Sequence, residues 1–189
     1  MVNSGEFKIS AWPPDPAMYT AEYLRDRQAI IDVVDGICTY ADQREWDKVA
    51  ASFAPQVVLD YTSMVAAMTG GDGGKPQVLT PRGIIDLWRS FLPGFQYTQH
   101  VMSNHQVHVQ EHDAFSLSYV YATHILPNES GQNFWVVGGY YNHDLVRTHN
   151  DWKVTRMKLN FRFDLGNRQL QTLAAQIVKA GNHRTAAEL

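Results

Sequence analysis

The spacing of apolar residues changes character after Pro93-Gly94. Up to that point most runs follow a helical period. Leu24, Ile31, Val34, Ile37, Cys38 and Ala41 predict a long helix over 20–43, with Thr20 as its cap. Trp46, Val49 and Phe53 predict a short second helix over about 45–54, ended by Pro55. The stretch VVLDYT, 57–62, is β-rich, and TGGDGGK, 69–75, has the composition of a flexible loop. Thr80-Pro81 pairs a cap with a proline at the first helical position. A third helix follows to about Leu92, using Ile84, Leu87, Trp88 and Phe91.

Beyond Gly94 four β-type runs follow one another: 97–111, 114–126, 133–148 and 152–164. Turn-forming residues separate them at His112-Asp113, at 127–131 and at 149–151. The last run alternates. Val154, Arg156, Lys158, Asn160 and Arg162 are mostly polar, whereas Thr155, Met157, Leu159, Phe161 and Phe163 are mostly apolar. That pattern predicts a sheet with one buried and one wet face. A final helix is expected over 167–180. Helices first and an antiparallel meander second indicate an α+β fold. The early helices would cover the apolar face of a curved four- or five-stranded sheet and leave a cone-shaped barrel with an open mouth.

Composition narrows the function. The chain has 189 residues, enough for one domain, expected over 18–189 behind an extended N-terminal arm that holds Pro13, Pro14 and Pro16. Sixteen basic against nineteen acidic side chains give a charge of −3, so no basic surplus is available for nucleic acid. No apolar run approaches the length needed to cross a bilayer. The opening residues lack the order of a signal peptide, and a cytoplasmic location is expected. A single cysteine, Cys38, excludes an internal disulfide framework.

Asp42 is the most informative polar residue. Positions 31, 35, 38 and 42 share one helix face, and Ile31 and Cys38 make it largely apolar. A carboxylate extending that stripe would be desolvated and would need a partner, for which histidine is suited. Alternatively, Asp42 ends one helix and caps the next. His100 opens a strand-like run. Paired with an aspartate it would be oriented and made more basic, as a general base requires. His105, His108 and His112 suggest a metal cluster, but 105 and 108 point to opposite sides of a strand, so no metal is expected. His143 and His149 lie near a turn and are expected to be solvated. Tyr61 shares its face with Val57 and Leu59, so it points inward, either to hold a substrate oxygen or as a core tyrosine. His124 and Asn142 occupy even positions on neighbouring strands, and the period leaves open which face lines the cavity. No nucleophile elbow, phosphate loop or dinucleotide fingerprint is present.

Local sequence adds a resemblance. TYADQREWDKVAASFAPQVVLDYTS, 39–63, resembles the opening of the SnoaL-like group of the nuclear transport factor 2-like superfamily, and scytalone dehydratase especially. YTQHVMSNHQVHV, 97–109, is similar to the Thr-x-His strand of those enzymes and of hexachlorocyclohexane dehydrochlorinase. GGYYNHDLVRTHNDWKVTRMKLNFRF resembles their final hairpin. The resemblance covers about residues 20–165. It implies catalytic roles for Asp42 and His100 and substrate-binding roles for Tyr61, His124 and Asn142. One family tyrosine is replaced by Ala41. The implied activity is a cofactor-independent lyase of the dehydratase type, acting on a small oxygenated polyketide, aromatic or terpenoid metabolite. An isomerase or cyclase using the same pair, and a non-catalytic binding or assembly module, are the alternatives. A homo-oligomer, trimer or dimer, is the implied assembly.

Overall fold

A computed structural model describes residues 15–149 and 151–185. Most of the expected N-terminal arm lies outside the described residues; its end, Pro16–Met18, forms one 3₁₀ turn.

The long helix α1 spans Ala21–Asp42, and the Thr20 hydroxyl accepts the Tyr23 amide at its start. Its buried stripe is Tyr23, Ile30, Val34, Ile37, Cys38 and Ala41; Leu24, expected in the core, is exposed. Helix α2 (Trp46–Ala51) is shorter than its sequence pattern. Pro55 does not end it. It lies inside strand β1 (Phe53–Asp60), where the pairing with β6 is interrupted between Phe53 and Val58. A proline has no amide hydrogen to give a ladder, so it fits at such an irregularity.

Two elements were not expected from the sequence. Helix α3 (Thr62–Thr69) buries no residue fully and ends at Gly70, whose left-handed φ of 71° closes it. Strand β2 (Gln77–Leu79) pairs with β1. Helix α4 (Pro81–Arg89) has the predicted cap, Thr80 accepting the Gly83 amide. Strands β3 (Tyr97–Gln110), β4 (Asp113–Ile125), β5 (Phe134–Thr148) and β6 (Asp151–Gly166) follow the predicted runs to within two residues, and α5 (Leu170–Lys179) is the last helix among the described residues.

The six strands form one sheet in the order β2-β1-β6-β5-β4-β3. All pairs are antiparallel except β1 with β6. The fold is therefore α+β, with a mixed, mainly antiparallel sheet of six strands. Helix α1 packs on its inner face. The Tyr23 hydroxyl donates to Val107 O of β3, and Asp26 receives Arg147 of β5 at 2.8 Å and the Trp152 indole of β6 at 3.3 Å. One helix touching strands this far apart in the sheet order requires the sheet to curve around it. No helix among the described residues is long and apolar enough to cross a membrane.

Bulges decide which side chains enter the enclosed space. In β3 the register shifts between Ser103 and Gln106, with Asn104 at φ 55°. Before the shift the even positions face inward; after it Val107 does. A bulge adds one residue to one strand and so switches its faces. A comparable shift on β6 puts Val154 and then Met157 and Leu159 inside.

Helix α5 reaches the barrel by a close approach. It packs on the 3₁₀ turn Leu92–Gly94, where a Cβ on Gly94 would lie 2.0 Å from Ala174 O. Gly94→Ala should lower stability by about 1–3 kcal/mol, the usual cost of overpacking. Thermal unfolding would show it as a lower Tm, and an unchanged Tm would mean that α5 does not dock as described.

Candidate active site

The helices and the inner sheet face enclose a cavity of about 630 Å³, its open mouth included. That is within the usual size of small-molecule sites. Its wall is mostly apolar: Ile37, Cys38 and Ala41 of α1, Trp88 of α4, Met157 and Leu159 of β6, Val137 of β5. The polar groups on it are few: His100, His124, Tyr61, Tyr141 and, from α5, Gln171.

Asp42 is the last residue of α1, and its carboxylate reaches across to the edge strand β3. One oxygen accepts the His100 ring at Nδ1, 2.7 Å away. The other accepts the His100 backbone amide, also at 2.7 Å. Both side chains are mostly shielded, 16% and 13% exposed. A carboxylate can only accept here, so Nδ1 carries a proton, and in the neutral ring the lone pair is then on Nε2. The ring lines the cavity. Burial pushes the Asp42 carboxyl up. The His100 ring, through its hydrogen bond and its charge interaction, together with the His100 amide and the Thr98 hydroxyl, outweighs it and holds the carboxyl below its ordinary value.

His124 sits beside this pair on β4, its ring 5.5 Å from that of His100 and nearly perpendicular to it. Burial, reinforced by the nearby His100, lowers its value to about 3, so it stays neutral. Nδ1 lies 3.3 Å from the Trp135 carbonyl, which assigns the proton to Nδ1 and leaves Nε2 an acceptor. Tyr61 and Tyr141 add two hydroxyls to the cavity wall. Burial raises both hydroxyls well above their ordinary value, and the two interact with each other. Both stay protonated at any pH the protein would meet, and the hydrogen bond between them uses one of the two protons and leaves the other for a ligand. Tyr61 is placed by its neighbours: Asp60 accepts the Thr62 amide at 3.2 Å and hydroxyl at 2.7 Å, and the Ser63 hydroxyl donates to Leu159 O at 2.6 Å.

Asn142 is not in this group. It lies on the outer face of β5, where the Asn160 amide donates to its oxygen at 2.7 Å. The reason is the register of β4 with β5. His124 stands opposite Trp135 and Ser116 opposite His143, so even positions on β4 share a face with odd positions on β5. Tyr141 therefore takes the place expected for Asn142. The same register buries His143, expected in solvent, to 1% exposure. The length of the loop at 126–133 sets this parity, and strand periodicity alone carries no trace of it. Of the histidines first considered for a metal, His105 turns inward and lies 3.2 Å from Asp35. Among the described residues no group of three or more His, Cys, Asp or Glu is placed to hold a metal ion.

The sequence model of the SnoaL-like domain matches residues 22–158, more than half of the chain. The chain belongs to the SnoaL-like family. This family falls within the nuclear transport factor 2-like superfamily, and the fold agrees with it. Rv2910c of Mycobacterium tuberculosis, an uncharacterised protein, is 27% identical over 143 residues, covering 75% of this chain and 89% of the relative. Among solved structures, Kfla4162 from Kribbella flavida superposes with a TM-score of 0.70 at 24% identity, covering 79% of this chain and 98% of that one. The hexachlorocyclohexane dehydrochlorinase LinA-type3 from Novosphingobium barchaimii LL02 gives 0.61 at 16%, covering 77% and 92%. At these identities the structural likeness is one of SnoaL-like fold. Function has to be argued from the side chains.

The Asp42 geometry fixes a sign for acid denaturation. The folded state binds the Asp42 proton less tightly than the unfolded chain. Its contribution to stability is therefore complete above the unfolded value and is lost as pH falls through the folded one. In urea unfolding, wild type should lose stability more steeply than Asp42→Asn between about pH 5 and pH 3. Parallel curves would remove Asp42 as a held carboxylate.

Proposed function

We propose that the protein is a cofactor-independent lyase acting on a small, largely apolar, oxygenated molecule such as a polyketide, aromatic or terpenoid metabolite. The observation that carries this reading is the two-point hold of Asp42 on His100, at the ring and at the backbone, with the ring on the cavity wall. His100 Nε2 takes a proton from the carbon next to a substrate carbonyl. Asp42 keeps the ring in the right tautomer and balances the imidazolium that forms. Electrons from the broken C–H bond make the new double bond as the neighbouring C–O bond breaks. The departing hydroxide takes that proton back from the His100 imidazolium and leaves as water, which returns the ring to its neutral form. Tyr61 donates to substrate oxygen, which stabilises the negative charge that builds there, and Tyr141 in turn donates to Tyr61. His124, neutral, accepts from a substrate hydroxyl. Gln171, which also lines the cavity, offers both a donor and an acceptor.

A module that only binds would need neither the Asp42–His100 contact nor a hydroxyl donor on the same cavity wall. An isomerase would use the same pair without loss of water, and product mass separates the two. With oxygenated aromatic and polyketide compounds as probes, the lyase reading expects products lighter by one water. His100→Ala and Asp42→Asn should each lower kcat/KM by about two orders of magnitude or more, the usual contribution of a general base. Full activity in either variant would sink the mechanism, and unchanged product mass would favour the isomerase.

The outer sheet face suggests a partner as well. Val101, Tyr119, Tyr121 and Phe163 are each between 44% and 52% exposed there. Arg162 lines the same groove. An apolar patch rimmed by polar groups is characteristic of an interaction surface, and we propose that a second copy of this chain covers it. Light scattering should give a mass above that of one chain for wild type and a monomer for Tyr121→Glu. A monomeric wild type would overturn the assembly.

A further inference from the structure

Arg44 is the residue that the mechanism above does not use and that the fold goes to most trouble to keep. It follows α1 directly, with a left-handed φ of 60°, a conformation in which a side chain other than glycine is strained. Its side chain turns inward and is only 4% exposed as a residue. Nη1 donates to Ala41 O at 2.7 Å, to Asp42 O at 3.1 Å and to the Thr98 hydroxyl at 2.9 Å. Nη2 donates to Leu92 O at 2.8 Å. Every acceptor is a neutral oxygen. Burial pulls the guanidinium down to about 10, and the Asp42 carboxylate pulls the other way. It remains a cation at neutral pH.

These partners are the parts of the catalytic pair. Ala41 and Asp42 end the helix that carries the carboxylate. Thr98 lies two residues before His100 on β3, and its hydroxyl also bonds Asp42. Leu92 lines the cavity. One guanidinium therefore ties the carboxylate's helix to the histidine's strand, and it sets a positive charge behind the carboxylate.

The geometry points to Arg44 as a positioning residue that aligns Asp42 with His100 and offsets the carboxylate charge that faces the imidazole. Asp42 alone, in a shielded site, would hold the imidazole proton tightly. A base that is already protonated cannot accept. The buried cation weakens that hold. This rests on the reading of Asp42 and His100 as an acid–base pair, but its test needs no substrate, so failure of the lyase assignment would leave it standing.

Several groups face the pair and enter its titration. Asp42 and Cys38 come from α1, Arg44 from the turn after it, Thr98 from β3, His124 from β4, Tyr141 from β5, and Tyr61 from the start of α3. Of these, Arg44 is the fixed cation. The experiment follows the His100 ring by NMR in the full chain with labelled histidine. Arg44→Gly removes the charge while suiting the left-handed backbone, which glycine adopts without strain. The expected result is a rise in the His100 midpoint of about one pH unit, a tenfold gain in proton affinity. Arg44→Lys keeps a charge near Asp42 and should titrate within about 0.3 pH unit of wild type. An unchanged midpoint in Arg44→Gly overturns the proposal. Should that variant not fold, Arg44→Lys decides: a rise as large as one unit would show that the charge at position 44 is not what offsets the carboxylate.

Discussion

A single carboxylate joins the two halves of this molecule. Asp42 stands at the C-terminal end of α1, where the helix dipole disfavours negative charge. It is ionised because three donors from β3 converge on it: the His100 ring, the His100 amide and the Thr98 hydroxyl. The bond to the backbone amide matters as much as the bond to the ring. It fixes where the edge strand starts relative to the helix, so the imidazole cannot swing without moving β3. The other end of α1 is held by Asp26 and Tyr23 against β5, β6 and β3. Between these two anchors the apolar stripe of α1 forms one wall of the cavity.

What the sequence shows of this arrangement is what short-range patterns can encode. The period of α1, the cap of α4 and the alternation of the long strands all survive, because each depends on neighbours a few residues away. The pairing of Asp42 with His100 was legible by a different route: a carboxylate on an apolar helix face needs a partner, and the family resemblance named it. The failures share a cause. Asn142 and Tyr141 differ by one residue along β5, and only the register with β4 says which faces inward. The bulge at Asn104 has the same effect on β3, bringing His105 inward after His100. Helix α3 escaped notice because it buries nothing fully and so lacks a stripe. No local pattern marks Arg44, because its inward turn depends on a φ that few side chains adopt.

The cavity keeps its other polar groups neutral, and that is a consequence of burial. His124 is lowered to about 3 and both tyrosines are raised. A neutral acceptor and a neutral hydroxyl pair can bind an oxygenated ligand without the heavy desolvation that a buried charge requires. Charge is confined to one side, where Asp42, Arg44 and His100 meet.

That segregation bears on the chemistry. In the proposed reaction, proton transfer from substrate to His100 would create an imidazolium next to Asp42 and a negative charge on substrate, within a cavity that Tyr61 and Tyr141 also line. Each new charge has a complement already in place: the carboxylate for one, the hydroxyl dipoles for the other. In a water-poor enclosure such fixed groups need little reorganisation as the charges develop. A neutral His124 beside the imidazolium avoids the repulsion that a second cation would cause, and the burial that holds it neutral is supplied by Phe95 and Trp135, whose rings lie 4.9 Å from its own. The aromatic core thereby acts on the acid–base pair without touching substrate itself through Phe95, since it fixes which of two adjacent histidines can carry the proton.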